Sequence, residues 1–293
     1  MGYDLYRPFL ILKIVFRTNI MQNAKAFEQF LLVRKGLQVI TAKGYVGSAI
    51  RFTRMVGMNP THIAVEDFVY TLYTSEYSYS HKINTVLAIE KYMEFIGNPI
   101  SLGRQKKPRP IIKDTLTESE VTKLIFSCKN IREKAVITLL AYSGIRNLEL
   151  CNLRVKDFDP GRSTIHIIKG KGLKDGISSI SAECTRILLE YLKAYPREAS
   201  DFLFTTLREN NQYHTSDTRK LVHIVATRAK LNKRVYPHLL RHSLAANMLL
   251  RGANIISLQR QLRHSLVETT LHYLNSIVFG ERNEYEKFAP SYI

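Results

Sequence analysis

Between residues 23 and 97 apolar side chains recur every three or four positions, the period of helices that bury one face. AKAFEQFLLVRKG follows this period and stops at Gly36. A second helix runs through ITAKGYVGSAIRFTRMVG after Thr41, with Tyr45, Ile50, Phe52 and Met55 as its apolar positions beside Lys43, Arg51 and Arg54. The Asn59-Pro60-Thr61 turn precedes a third helix around VEDFVYTLYTS, and SHKINTVLAIEKYMEFIG makes a fourth that ends at Gly97. Four amphipathic helices predict a small bundle.

The periodicity breaks at GRQKKPRPIIKD, residues 103–114, which carries five basic residues and two prolines with no acid before Asp114. Proline halts a helix and like charges repel, so this stretch reads as an extended basic linker. Beyond it, LTESEVTKLIFSC opens with Thr117 and, three residues on, Glu120, the spacing of a capping box. REKAVITLLAYSG is a buried helix ending at Gly144, and a further helix starts at Arg146 or just after it and runs through ELCNLRVKDF. STIHIIKGKGLKDGISSIS alternates as two short strands around a turn rich in glycine and lysine, after which helices follow from AECTRILLEYLKAYP to the end. The fold class is therefore mainly α: a helical domain over 23–102, the linker, and a mostly helical α+β domain over 115–293 with a small antiparallel sheet. Residues 1–22 read as an N-terminal extension.

Charge sharpens this picture. The 293 residues carry a formal charge of +18, and 45% are hydrophobic, enough for packed cores. Such a surplus draws anions and points to nucleic acid or an anionic membrane surface. The apolar run PFLILKIVF, residues 8–16, is too short to span a bilayer and is interrupted by Lys13. No small-residue cleavage site follows it, so neither a membrane partner nor a signal peptide is expected. Cys128, Cys151 and Cys184 are odd in number and show no CxxC spacing, which argues against a disulfide framework and a structural zinc site. A reducing, cytoplasmic setting is expected.

The residues fit for chemistry lie in the second domain. In YPHLLRHSLAANMLLRG, Pro237 suits a first helical turn, which puts His238 and Arg241 on one face, with Leu239, Leu240, Leu244 and Met248 on the buried side. A histidine and an arginine near a helix N-terminus make a seat for an anion. His238 and His242 have the spacing of a zinc pair, but the metalloprotease pattern needs glutamate where Leu239 stands. Arg146 follows Gly144 at a helix start, with Glu149 three residues on to hold its orientation. Lys171 stands between Gly170 and Gly172 at the hairpin tip, with Lys169 and Lys174 beside it. In LRHSLVETTLHY, His264 follows the helix IISLQRQLR at a turn, and nine residues later Tyr273 lies on the next helix. A tyrosine hydroxyl is a poor nucleophile unless cations stabilise its phenolate. Taken one at a time, each of these residues is an ordinary surface charge or packing aromatic.

In order and combination they are more specific. SGIRNLEL, KGKG, HLLRHSLA, LRHS and TTLHY together resemble the active-site signature of the tyrosine recombinases, the phage integrase family, and within it the Xer-like branch. The resemblance runs from about Asn23, since the first domain is similar to the family's four-helix, SAM-like core-binding domain. It implies site-specific breakage and rejoining of duplex DNA without a cofactor or metal. It also implies Arg146, Lys171, His238, Arg241, His264 and Tyr273 as the catalytic set, with Tyr273 the nucleophile. Double-stranded DNA with paired inverted half-sites is the implied partner, bound by a homotetramer spanning two duplexes, with accessory proteins in some systems. Lys43, Arg51 and Arg54 on the second helix and Arg104, Lys106, Lys107 and Arg109 in the linker are the expected DNA contacts. By the same resemblance the tail after Tyr273 reaches a neighbouring protomer or folds back on its own domain. The family commonly has glycine before its second histidine, where this chain has Arg263.

Overall fold

A computed structural model describes residues 22–108, 114–168, 175–206 and 211–263. The chain divides into two compact units, Met1–Pro110 and Ile111–Ile293.

The first unit holds helices α1 (22–33), α2 (Val39–Val56), α3 (His62–Thr74) and α4 (Tyr79–Phe95). Its core joins Phe27 and Leu31 of α1 to Phe52 of α2, Val65 and Leu72 of α3, and Ile89, Tyr92 and Met93 of α4. The Phe27 and Tyr92 rings meet edge to face at 5.4 Å between centroids, and the Tyr92 hydroxyl donates to the Met58 carbonyl at 2.9 Å. The polar end of a buried tyrosine is thereby satisfied. Thr61 and Ser78 cap α3 and α4 through their side-chain oxygens. Helix α2 starts at Val39, before Thr41, and buries Ala42, Ala49 and Phe52, whereas Met55 is 73% exposed.

The second unit is built around α6 (Ile131–Ser143), whose Ala135, Val136, Ile137, Leu139 and Leu140 are all fully buried. It is packed by α5 (Glu118–Phe126), α8 (Ala182–Ala194), α9 (Thr215–Arg228) and α10 (Pro237–Leu250). The capping box expected at Thr117 and Glu120 is present. Helix α7 covers only Asn147–Asn152, shorter than the pattern predicts. Arg154 to Asp157 instead form a capped 3-10 turn, in which the Asp157 carboxylate accepts from the Arg154 N–H at 2.8 Å. Phe158–Asp159 is then an edge strand, β1, absent from the sequence reading. It pairs antiparallel with β2 (Thr164–Ile167), which pairs with β3 (Gly176–Ser179), in the order β1-β2-β3. Helix propensity over VKDF loses to pairing of Phe158 with Ile165, a contact with no local signature.

Helix α11 (Ile255–Leu262) closes against α10 through Ala245, Leu258 and Leu262. All three cysteines are free thiols, and burial pushes the Cys128 thiol up to about 12, far from a reactive thiolate. Among the described residues no helix is long and apolar enough to cross a membrane.

Candidate active site

The site forms where α6 ends. Gly144 takes φ +62°, and a Cβ there would fall 2.7 Å from Leu262 Cδ2, so both the turn and the close approach of α11 require glycine. Arg146, two residues on, caps α7. Its backbone N–H donates to Glu149 Oε2 at 3.0 Å and its Nη1 to Oε1 at 2.7 Å. Glu149 is buried, which pushes its carboxyl up, but the Arg146 N–H and the Arg263 and Arg146 guanidinium groups outweigh that and hold it below the usual carboxylate value. The sequence expectation that Glu149 orients Arg146 matches this geometry.

Arg241 arrives from α10. It is 1% exposed, and its guanidinium donates to the Gly144 carbonyl, 97 positions away, and to the Leu262 carbonyl, 21 positions away. A buried guanidinium is tolerable only when its donors are met, and these carbonyls meet two of them. His238 stands one turn earlier on the same helix and is exposed, its ring edge to face with that of His242 at 5.2 Å. Helical spacing therefore puts His238 and Arg241 on one side of α10, but at different depths. Among the described residues no group of three or more His, Cys, Asp or Glu side chains gathers in a way that suits a metal ion.

Two residues to which the sequence gives no role complete the arrangement. Gln261 Nε2 donates to Ser179 O at 2.8 Å and Ser178 Oγ at 3.0 Å, and its Oε1 accepts from Ser179 N at 3.2 Å, so α11 is stitched to β3. Arg263 Nη2 donates to Glu149 Oε2 at 2.8 Å. Only the departure from the family's glycine marked Arg263 in the sequence, and nothing marked Gln261.

Of the six residues the resemblance implies as catalytic, the structure brings Arg146 and Arg241 to one turn and puts His238 on the helix that delivers Arg241. Lys171, His264 and Tyr273 lie outside the described residues, although Leu262 and Arg263 bring the chain to the position just before His264. In the first unit Lys43, Arg51 and Arg54 are exposed along α2. Arg104 pairs with Glu90 at 2.6 Å, while Leu102 N–H donates to the same carboxylate at 3.0 Å, so the start of the linker is tied to α4. Lys106 and Lys107 are exposed, and Arg109 lies outside the described residues.

Residues 114–278 match the phage integrase family. The chain belongs to that family, the tyrosine recombinases. The recombinase is 30% identical over 275 residues to a tyrosine recombinase of Pseudothermotoga lettingae, covering 88% of this chain and 94% of that one. It is 31% identical over 233 residues to tyrosine recombinase XerA of Pyrococcus horikoshii, covering 79% and 81%. The crystal structure of XerA recombinase superposes with a TM-score of 0.55 at 26% identity, covering 93% of this recombinase and all of that chain. Relatives of these names make it an Xer-like member, with the mainly helical fold and small antiparallel sheet expected.

Proposed function

We propose that this recombinase cuts and rejoins duplex DNA at a specific site through a 3′-phosphotyrosyl intermediate. The observation that carries the reading is the convergence at Gly144: Arg146 caps the helix just after it, and the buried Arg241 donates to its carbonyl and to that of Leu262, two residues before His264. Two arginines held by protein acceptors from separate segments are preorganised for an anion whose charge grows in the transition state.

In this reading Arg146 and Arg241 hold the non-bridging oxygens of one phosphate, and His264 adds a hydrogen bond to them. The Tyr273 oxygen attacks phosphorus, and a Tyr273 O–P bond forms as the P–O5′ bond breaks. The phenolic proton passes towards His238, and Lys171 gives a proton to the departing 5′ oxygen. The phosphotyrosyl ester keeps the bond energy, so a 5′ hydroxyl of a partner strand reverses the step without a nucleotide cofactor. The exposed Lys43, Arg51 and Arg54 with Lys106, Lys107 and Arg109 bind the duplex, two inverted half-sites align protomers, and a tetramer on two duplexes exchanges strands. The first unit, the linker and the second unit act as core-binding domain, tether and catalytic domain. The charge of +18 supports the nucleic-acid partner.

A nicked duplex that loses its short 5′-hydroxyl fragment after cleavage traps the covalent intermediate. Wild type forms a denaturation-resistant protein–DNA adduct and Tyr273→Phe forms none. An adduct with Tyr273→Phe would remove Tyr273 as nucleophile. Retardation of the duplex with no adduct from wild type would leave a DNA-binding architectural protein in place of an enzyme.

A further inference from the structure

Arg263 takes φ +53°, one of three non-glycine residues with positive φ among the described residues. It caps α11 in the left-handed conformation that glycine adopts at helix ends without steric cost. An arginine kept there against its backbone preference needs a reason in its side chain. The stem of that side chain runs over Gly176, the first residue of β3, where an added Cβ would lie 2.5 Å from Arg263 Cδ and 3.2 Å from its Cγ. The strand is bare where the arginine passes. At its far end the guanidinium meets Glu149 Oε2 at 2.8 Å, with 12% of the Arg263 side chain and 6% of the Glu149 side chain exposed.

Glu149 therefore serves two arginines from opposite directions. Arg146 takes Oε1 by its side chain and Oε2 by its backbone N–H, and Arg263 shares Oε2. A single arginine on one carboxylate is a neutral pair, and an anion gains little by approaching it. Two arginines on one buried carboxylate leave a net charge of +1, with Arg146, whose side chain is 23% exposed, as the part an anion can reach. The second arginine also sits on the residue directly before His264, so the same bond fixes where the chain begins the segment that carries His264 and Tyr273.

Resting on the recombinase reading above, we infer that Arg263 is a positioning residue: its bridge to Glu149 ties the end of α11, one residue before His264 in the sequence, to the carboxylate that orients Arg146 and keeps the cluster positive. It replaces the freedom of the family's glycine with a strut between α11 and α7.

The test is single-turnover cleavage of the nicked duplex, with duplex affinity measured alongside, for Arg263→Gly, Arg263→Lys, Gly176→Ala and Glu149→Gln. Arg263→Gly suits the backbone and folds. Its cleavage rate falls on the order of tenfold, in keeping with the sensitivity of such sites to small misplacements, while duplex affinity stays within about twofold. Arg263→Lys, which keeps the charge without the fork, recovers part of the rate. Gly176→Ala, which displaces the arginine stem without altering any charge, lowers the rate like Arg263→Gly. In a Glu149→Gln background, Arg263→Gly adds no further loss. A wild-type rate in Arg263→Gly overturns the inference, as does a loss undiminished in the Glu149→Gln background or a loss confined to duplex affinity. A wild type that forms no adduct overturns the recombinase reading and this inference with it, whereas cleavage by wild type beside an unimpaired Arg263→Gly overturns this inference alone.

Discussion

The two units carry positive charge in opposite ways. In the first, Lys43, Arg51 and Arg54 stand exposed on α2, and Arg51 makes a long bond of 3.3 Å to Ser48 Oγ. In the second, Arg241 is 1% exposed and its guanidinium donates to two carbonyls, while Arg146 and Arg263 share a buried carboxylate. Exposed cations attract a polyanion at a distance, are screened by salt, and tolerate small shifts in position. Buried arginines pay for desolvation, and in return their direction is fixed. Under the function proposed above, the first arrangement suits holding a duplex and the second suits acting on a single phosphate.

The largest effect on cleavage expected of this contrast is at Arg241. Arg241→Ala leaves the carbonyls of Gly144 and Leu262 without their partner, which costs roughly 2 kcal/mol of stability measured by urea unfolding. Adduct formation falls on the order of 10²- to 10³-fold, as for loss of a preorganised donor. A variant that kept both stability and cleavage would make Arg241 a packing residue and erase the distinction between the units.

Glu149 gives the next effect, and it depends on pH. Its carboxyl lies below the ordinary value of 4.5 in the folded protein, so the stabilisation it contributes is complete above that value and is lost as pH falls through the lower, folded value. Glu149→Gln leaves two guanidinium groups facing an amide and costs about 3 kcal/mol at neutral pH. The gap between wild type and variant, followed by thermal or urea unfolding, narrows as the solution is acidified below 4.5. A gap that stayed constant with pH would mean the carboxylate is not ionised in this role.

The smallest effect on stability, though not on binding, is at α2. Replacing Lys43, Arg51 and Arg54 together by alanine changes unfolding by about 0.5 kcal/mol or less. Duplex affinity falls, and the slope of log affinity against log salt becomes shallower by roughly 1 to 3. Loss of cleavage at saturating DNA in this variant would give α2 a part in chemistry and break the comparison from the other side.

Much of this was legible from residue order. The capping box at Thr117 and Glu120, the buried α6, and the helix opened by Pro237 follow from local spacing, because their hydrogen bonds and buried faces lie within a few residues. The end of α7 was not legible, because Phe158 joins a strand through Ile165, and local pattern does not encode that partner. Met55 fits the apolar period of α2 but stands exposed, since the neighbouring helices bury Phe52 and Ala49 instead.

The sequence by itself determined the helical class, the surplus of positive charge, and the identity and order of the residues that resemble a recombinase signature. Only the tertiary structure decided that Arg241 is enclosed while His238 is exposed, and that one carboxylate holds both Arg146 and Arg263. Spacing along a helix sets direction around its axis, whereas depth and shared partners depend on what other segments bring to the same place.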